Sequence, residues 1–381
     1  MAGQPHPRAA GKGAAPPMNC HPTWLEIDLD AVAHNTRTMR ELVGVTLMAV
    51  VKGNAYGFGA LEISRCALAN GAAWLAVARY GEARVLRQAG LTAPLLVFGY
   101  VAPGEVDEAI SHDVALTLHS FDSARLYASR ARAVGKPARV HLKVDTGLHR
   151  LGVQPDQALE LARAADGIVI EGVYSHLAMV DEGDFPETAQ QTRVFQQVVQ
   201  ALAQAGINPP WVHLAGSSAA TYNPETRFNL ARVGCALVGI PPRSGTPLLP
   251  VLRTAIQWKA SLADCRRLPG GARIGYGLTY TTSGEEVIGV LPVGYIDGFR
   301  RLPGNQVLIG GQRAPVIGKM CMDMCMVCLP QPFPAGSEVV LLGRQGSDQI
   351  TIEELAQRWR TSEVDALGNI NTRVPRIYHG R

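Results

Sequence analysis

The stretch Leu47-Met-Ala-Val-Val-Lys52-Gly-Asn-Ala-Tyr56-Gly-Phe-Gly59 carries most of the information about the fold of this chain. An apolar run typical of a buried strand ends at a lysine, and a glycine-rich loop follows directly. In a barrel of parallel strands, the carboxyl ends of the strands form the reaction face. A lysine held there in a low dielectric becomes nucleophilic, as attachment of an aldehyde cofactor requires. From this spacing alone, a solvated lysine that caps an edge strand stays the more common alternative.

Short apolar runs alternate with amphipathic segments along the first 250 residues. Such alternation predicts parallel strands joined by crossover helices. We predict strands at 23–29, 46–52, 74–78, 94–99, 114–119, 139–145, 168–176, 211–215 and 232–238, and helices at 123–134, 156–165 and 187–205. These strands number one more than a closed eight-stranded barrel requires, and no glycine fingerprint of an open nucleotide-binding sheet follows the first of them. We therefore expect a barrel.

From about residue 251 the segments become short, rich in β-formers and punctuated by glycine and proline. We expect a mainly β domain over residues 251–381, after an α/β barrel over residues 21–250. One helix is predicted within it at 351–360, because Thr351 and Glu354 have capping-box spacing. Residues 1–20 lack the apolar core of a signal peptide, so we expect a disordered tail, or an overlong start with Met18 as the true first residue.

The 381-residue chain has an ordinary globular composition, with 47% hydrophobic residues and a formal net charge of +4. Basic and acidic residues are interspersed and no apolar run of about 18 residues occurs, so we expect no nucleic-acid or membrane partner. The seven cysteines show no small-scaffold pattern, which favours reduced thiols in a cytoplasmic protein. Cys321, Cys325 and Cys328 lack a fourth cysteine in matching spacing, so we expect no metal.

A second predicted strand end carries two cations, in His141-Leu-Lys143-Val-Asp-Thr-Gly-Leu-His-Arg150. Lys143 and Arg150 would repel each other unless something anionic lies between them. An ordinary lysine and arginine that bind a phosphate group together are one interpretation.

The motif Val50-Val-Lys-Gly-Asn-Ala-Tyr-Gly57 resembles the cofactor-lysine motif of bacterial alanine racemases, which use pyridoxal 5'-phosphate (PLP). The resemblance runs from Pro22 to Tyr378. It implies an eight-stranded (β/α)8 barrel followed by a mainly β C-terminal domain with which the first strand (23–29) pairs. It also implies a small amino-acid substrate and a head-to-tail homodimer with shared active sites.

Racemisation removes the α-proton on one face of the substrate and returns a proton on the other, so two bases are needed. The resemblance implies that Lys52 serves the D-enantiomer and that Tyr276, from the partner subunit, serves the L-enantiomer. It implies that Arg232 faces the pyridine nitrogen of PLP without giving up its proton, which favours simple proton return. It further implies that Lys143 is carbamylated and that the resulting anion orients Arg150 toward the cofactor and the substrate carboxylate.

The remaining positions implied by the resemblance surround the cofactor and the substrate. The cofactor set comprises Tyr56 and Tyr378 as phosphate-binding hydroxyls, Ser218 as a phosphate ligand with Ser217 in the place of an asparagine, the backbone amides of Gly234 and Cys235, and His176. The substrate set adds Tyr295 and Met322, which narrow the entrance.

The predicted function is therefore PLP-dependent racemisation, with L-alanine to D-alanine for cell-wall peptidoglycan as the first expectation. Serine or a broader substrate range is an alternative, because Gly53 and Phe58 depart from the usual motif and blur the pocket shape. A PLP decarboxylase of the same fold would want an acidic residue where this chain has Arg232. A PLP carrier without activity is a third alternative, and the β domain with Tyr276 argues against it.

Overall fold

The computed structural model describes residues 21–180 and 185–380, so the predicted tail at residues 1–20 lies outside the described residues. Within that part, the chain forms a barrel of parallel strands followed by a mainly β domain. The predicted fold class is confirmed.

The barrel lies between the first strand and the C-terminal domain along the chain. β1 (Thr23–Asp28) belongs to the C-terminal sheet, and the next eight strands form the barrel: β2 (Thr46–Val50), β3 (Trp74–Val77), β4 (Leu95–Val97), β5 (Val114–Leu118), β6 (Ala138–Lys143), β7 (Ile168–Tyr174), β8 (Trp211–His213) and β9 (Leu230–Val233). They pair in parallel in this order, and β9 returns to pair with β2. The amide of Arg232 donates to the carbonyl of Ala215 at 3.1 Å, which links β9 to the chain after β8 and leaves the barrel nearly closed.

Helices connect the barrel strands: α1 (Leu29–Val43), α2 (Lys52–Tyr56), α3 (Ala60–Ala69), α4 (Tyr80–Gln88), α5 (Val106–Ser111), α6 (Phe121–Val134), α7 (Ala158–Arg163), α8 (Pro186–Gln204) and α9 (Ser217–Tyr222). Local sequence explains where α1 begins and ends. Asp28 accepts the amide of Ala31 at 2.9 Å as an N-cap, and Gly44 ends the helix in the left-handed conformation that glycine adopts without strain.

The C-terminal domain is built from antiparallel strands with two helices: β10 (Ile256–Ser261), β11 (Asp264–Leu268), β12 (Arg273–Ile274), β13 (Tyr280–Thr281), β14 (Glu286–Leu291), β15 (Gln306–Ile309), β16 (Gln312–Ile317), β17 (Cys325–Leu329), β18 (Glu338–Gln345), β19 (Asp348–Ile350), α10 (Ile352–Trp359), α11 (Glu363–Gly368) and β20 (Arg376–His379). β1 lies between β10, to which it is antiparallel, and β20, to which it is parallel. This pairing explains why the chain has one strand more than the barrel uses.

Three of the differences from the sequence prediction concern the region of the cavity described below. The predicted strand 46–52 ends at Val50, and Lys52 already begins α2. The predicted strand 232–238 ends at Val233, and Cys235–Val238 forms a 3₁₀ turn, because Gly234 leaves the extended conformation and its amide donates to the Ser217 hydroxyl at 3.0 Å. Helix α11 was not predicted at all.

Candidate active site

A cavity of about 690 Å³ opens at the carboxyl ends of the barrel strands, where barrel enzymes carry out their reactions. Apolar walls formed by Phe98, Tyr174 and Leu177 surround its polar lining. Ten residues predicted from the sequence line this cavity: Lys52, Tyr56, Lys143, Arg150, His176, Ser217, Ser218, Arg232, Gly234 and Cys235. The fold therefore brings together side chains that lie up to 183 positions apart, from 52 to 235, at one end of the barrel.

The backbone after Lys52 makes a left-handed turn. Gly53, Asn54, Ala55 and Tyr56 have φ values of 61°, 55°, 52° and 58°. This conformation costs non-glycine residues roughly 1–2 kcal/mol each, so surrounding contacts must hold it. The turn brings the Tyr56 ring so close to the backbone of residue 234 that a Cβ there would lie 2.2 Å from the hydroxyl oxygen. Glycine is thus required at 234 for steric reasons.

Lys52, Lys143, Arg150 and Arg232 line the cavity, and burial together with the charges of the two arginines lowers the pKa of the two lysines. Burial, followed by the charge of Arg150, holds the pKa of Lys52 below its usual value. Burial and the charges of Arg232 and Arg150 lower the pKa of Lys143 to about 8. Both amines therefore release a proton more readily than an exposed lysine, and an amine must be neutral to act as a nucleophile or base.

Arg232 is buried and held by hydrogen bonds from its guanidinium. One terminal nitrogen lies within hydrogen-bond distance of the carbonyls of Leu214 at 2.8 Å and Ser175 at 3.0 Å and of Nδ1 of His176 at 3.0 Å, and these three acceptors share its two hydrogens. The other donates to Nδ1 of His213 at 3.0 Å. Because a guanidinium only donates, both imidazole nitrogens must accept. Burial lowers the pKa of Arg232 to about 10, which still leaves it charged at neutral pH.

Two buried histidines extend this network away from the cavity. Nε2 of His213 lies 2.7 Å from Nδ1 of His141. Burial and the charge of Arg232 lower the pKa of His141 to about 3 and hold that of His213 well below its usual value. Both rings are therefore neutral, and since Nδ1 of His213 accepts from Arg232, its Nε2 carries the hydrogen and donates to His141. The network fixes the position and the charge of Arg232.

Arg150 follows a loop shaped by Asp145. One oxygen of the Asp145 carboxylate accepts the amides of Gly147, Leu148 and His149 at 3.0, 3.1 and 3.0 Å. These bonds fold the chain tightly after β6, and the next residue, Arg150, lines the cavity that Lys143 also lines.

The two serines after β8 both line the cavity, and their hydroxyls have different partners. The hydroxyl of Ser218, the predicted phosphate ligand, is buried and donates to the carbonyl of Val180 at 2.8 Å. The Ser217 hydroxyl accepts the amide of Gly234 at 3.0 Å, beside Tyr56. Ser217 thus forms a polar corner of the cavity, and the phosphate-binding role of Ser218 stays a prediction.

Tyr378 does not line the cavity. Its hydroxyl donates to the carbonyl of Phe58 at 3.0 Å and fills the space that a Cβ at Gly59 would need. On the same strand, Arg376 donates to the carbonyl of Gly57 at 3.0 Å. Tyr378 therefore holds the glycine-rich loop against β20, and its role as a phosphate-binding hydroxyl stays a prediction.

Tyr276, Tyr295 and Met322 lie in the C-terminal domain and do not line the cavity of their own chain. Tyr276 is 71% exposed, Tyr295 is 38% exposed and Met322 is 50% exposed. Tyr276 begins a 3₁₀ turn between β12 and β13, and Tyr295 begins another after β14. Such exposure of large apolar groups is typical of a surface that another chain covers.

The sequence prediction missed Ser244 and Glu363, which line the cavity. The Glu363 carboxylate accepts the Ser244 hydroxyl at 2.7 Å. It also missed Glu82, in the helix after β3, which accepts the amide of Gly53 at 2.6 Å without lining the cavity. No Ser or Thr stands three positions before Glu82 to form a capping box, and nothing local indicates its contact with Gly53.

Two negative findings concern the described residues, 21–180 and 185–380. Among them no group of three or more His, Cys, Asp or Glu side chains is arranged to hold a metal ion. None of the helices in the same ranges has the length and apolar character needed to cross a membrane.

Comparison with known proteins gives full-length matches. Residues 27–242 match the family model for the N-terminal domain of alanine racemase, and residues 255–378 match the model for its C-terminal domain. The alanine racemase of Symbiobacterium thermophilum is 41% identical over 367 residues, which cover 94% of this chain and 97% of that protein.

Solved structures agree with these matches. The structure of alanine racemase from Bacillus anthracis with bound L-Ala-P has a TM-score of 0.90 at 35% identity and covers 96% of each chain. A histidine racemase from Leuconostoc mesenteroides subsp. sake has a TM-score of 0.88 at 26% identity, covering 95% of this chain and 99% of that one. The chain therefore belongs to the alanine racemase family and is an amino-acid racemase.

Proposed function

We propose that this racemase interconverts L-alanine and D-alanine with PLP attached to Lys52. The observation that carries the proposal is the position of Lys52 at the end of β2, in a cavity whose other charged walls are Lys143, Arg150, Arg232 and Glu363. When bound, PLP supplies an electron-withdrawing ring that acidifies the α-hydrogen of an attached amino acid.

The residues present fit this cofactor. Its phosphate is anionic, and the cavity combines several cations with a polar corner made by the Tyr56 and Ser217 hydroxyls and the glycine at 234. Burial raises the pKa of Tyr56, so its hydroxyl keeps the hydrogen that a phosphate oxygen can accept. Tyr56, Ser217, Ser218, Tyr378 and the backbone at Gly234 and Cys235 would hold the phosphate, and Arg232 would meet the ring nitrogen.

The chain's own residues perform the proton chemistry. The depressed pKa of Lys52 makes its neutral amine available to accept the α-hydrogen from one face of the substrate. Arg232 stays charged and donates, because its neighbours accept from it and none can take its proton. An arginine at that position would leave the ring a weak electron sink, which favours return of the proton over loss of carbon dioxide. This disfavours the decarboxylase alternative.

We propose that Tyr276 of a second copy is the opposite base. Its support is twofold: a second base is required for inversion, and Tyr276, like Tyr295 and Met322, is an exposed residue of the C-terminal domain. A head-to-tail homodimer would bring these residues over the partner's cavity, and Tyr295 and Met322 would then narrow its entrance. The small space left would favour alanine over larger amino acids.

We propose that Lys143 is carbamylated. Its side chain is buried beside Arg150 and Arg232, and its pKa of about 8 leaves part of the amine neutral near pH 7.5. The ammonium first releases one proton; the neutral amine then attacks carbon dioxide, a nitrogen–carbon bond forms as one carbon–oxygen π bond opens, and a second proton leaves the nitrogen, so a cation becomes an anion. That anion would hold Arg150 by charge-assisted hydrogen bonds, ready for the substrate carboxylate.

This modification is directly measurable. Purified protein equilibrated with ¹³C-labelled bicarbonate should show one slowly exchanging carbamate signal that is absent from Lys143→Gln. At a fixed concentration of dissolved carbon dioxide, the signal should grow as the pH rises toward about 8, since the neutral amine reacts. Lys143→Gln should raise the KM for alanine about tenfold or more, because a hydrogen bond to a charged group contributes about 1.5–3 kcal/mol. If the original protein shows no carbamate signal and Lys143→Gln has a normal KM for alanine, the modification is excluded.

The physiological role we propose is the supply of D-alanine for cell-wall peptidoglycan in the cytoplasm. The six described cysteines are free thiols, as a reducing compartment would allow. The test begins with purified protein: sodium borohydride should fix the cofactor to Lys52, which peptide mass mapping can locate. Chiral chromatography should then show interconversion of alanine.

A substrate panel decides between alanine and the alternatives. The panel should contain both enantiomers of alanine, serine and histidine, since a structural relative racemises histidine. We expect alanine to have the highest kcat/KM. If borohydride fixes the cofactor to Lys52 but kcat/KM is higher for serine or histidine, alanine is not the preferred substrate. If no cofactor is found on Lys52, the proposed mechanism is wrong.

A further inference from the structure

We propose that Glu82 is a positioning residue for Lys52: its carboxylate holds the left-handed turn that follows the lysine. This inference rests on the proposed function, because it assigns Lys52 the central part in the reaction. Glu82 does not line the cavity. Its charge raises the pKa of Lys52, against the larger lowering by burial and Arg150, and its hydrogen bond goes to the backbone of Gly53. The positioning role is exerted through that backbone contact.

The two oxygens of the carboxylate have separate partners. Oε1 accepts the amide of Gly53, the residue directly after Lys52, at 2.6 Å. Oε2 accepts the amides of Ala78 and Arg79 at 2.9 and 3.0 Å. These two residues connect β3 to α4. Glu82 therefore joins the end of β3 to the first peptide of the turn after β2. The two strands are neighbours in the barrel.

The turn needs such an anchor because its conformation is unfavourable. Asn54, Ala55 and Tyr56 are non-glycine residues with positive φ. Left-handed residues in succession persist only where surrounding contacts determine them. The far end of the turn is held by β20, through the bonds from Arg376 to Gly57 and from Tyr378 to Phe58. The near end, beside the reactive amine, is held by Glu82.

The variant Glu82→Gln separates the two tasks of the carboxylate. A glutamine side chain has one oxygen and one amide nitrogen. Its oxygen can still accept both Ala78 and Arg79, which keeps the start of α4. Its nitrogen would then face the amide of Gly53, donor against donor, so the contact with the turn is lost while the cap is kept.

Two readouts test the inference. In hydrogen-exchange mass spectrometry, the peptide covering residues 52–59 should exchange faster in Glu82→Gln than in the original protein, whereas the peptide covering 80–88 should be unchanged. In racemisation, kcat should fall about tenfold to a hundredfold, as small displacements of catalytic groups do, with KM for alanine changed less than about threefold.

A matched control is Glu105→Gln. Glu105 also accepts a backbone amide three positions earlier, that of Ala102 at 3.3 Å, in the loop after β4, and does not contact the turn. Glu105→Gln should leave both the hydrogen exchange at residues 52–59 and the kcat of racemisation unchanged. Unaltered exchange at 52–59 in Glu82→Gln, or a loss of protection equally large at 80–88, would overturn the inference.

Failure of the proposed function would look different. If borohydride fixes no cofactor to Lys52 in the original protein, the mechanism is wrong, yet the exchange experiment still reports whether Glu82 holds the turn. If the cofactor is fixed to Lys52 and Glu82→Gln has normal kcat, the mechanism stands and the positioning role of Glu82 is rejected.

Discussion

Replacement of Lys52 by alanine is expected to lower racemase turnover by about 10⁴-fold, the upper range for loss of a general base. The variant should also lose the covalent link to the cofactor, because no other lysine amine stands at the end of β2. Activity is measured by chiral chromatography, and the link by borohydride reduction with peptide mapping. Lys136→Ala is a suitable control, since Lys136 is paired with Asp113 on the surface at 2.6 Å. Substantial activity in Lys52→Ala would contradict the mechanism.

Added methylamine should restore part of the activity of Lys52→Ala. Truncation of the side chain leaves room in a cavity of about 690 Å³ for a small amine to take the place of the lysine nitrogen. The rate should rise with the concentration of neutral amine, so it should increase with pH at a fixed total concentration. Rescue of Lys52→Ala without effect on the original protein would identify the missing group as a base. A variant that merely misfolds would not respond.

The second large effect is expected for Tyr276→Phe, which should lower racemisation about 10²- to 10³-fold. The loss must be equal in both directions, because the equilibrium constant between enantiomers is one and no catalyst changes it. The two bases can still be told apart in deuterium oxide. D-Alanine should continue to exchange its α-hydrogen without inversion, since Lys52 is intact, whereas L-alanine should exchange slowly. Mass spectrometry of each recovered enantiomer measures both rates.

Exchange that is lost equally from both enantiomers would contradict the assignment of Tyr276 to one face. Tyr295→Phe provides a control at another exposed residue of the C-terminal domain, because it keeps a ring of similar size and leaves Tyr276 in place. We expect Tyr295→Phe to exchange the α-hydrogen of L-alanine and of D-alanine at similar rates.

Hybrid dimers test whether each site is built from two chains. When Lys52→Ala chains pair with Tyr276→Phe chains, one site of the dimer receives both substitutions and the other receives neither. A purified hybrid with two affinity tags should therefore recover about half the turnover of the original dimer, although both parent variants are nearly inactive. If Lys52 and Tyr276 of one chain served the same site, the hybrid would be as inactive as its parents.

The alternation of apolar runs and helical segments was sufficient to predict the barrel, because hydrophobic periodicity is a local property that tertiary packing rarely reverses. Lys52 and Lys143 were likewise readable, since each stands at or near the carboxyl end of a predicted strand, whereas Arg232 stood at the start of the predicted strand 232–238 and its role came from the resemblance. The contacts of the two serines after β8 carry no such local mark. Ser217 and Ser218 are adjacent and chemically identical, and only the carbonyl of Val180 and the amide of Gly234 distinguish their hydroxyls.

The amino-acid sequence by itself determined the family, the two-domain order and ten of the residues that line the cavity, because these follow from patterns within short segments. Tertiary structure alone decided that Tyr378 binds the loop after Lys52 and that Glu82 anchors Gly53. The physical reason is common to both. A hydrogen bond between residues that are 29 or 320 positions apart depends on where two strands end in space, and no periodicity in the chain records that distance.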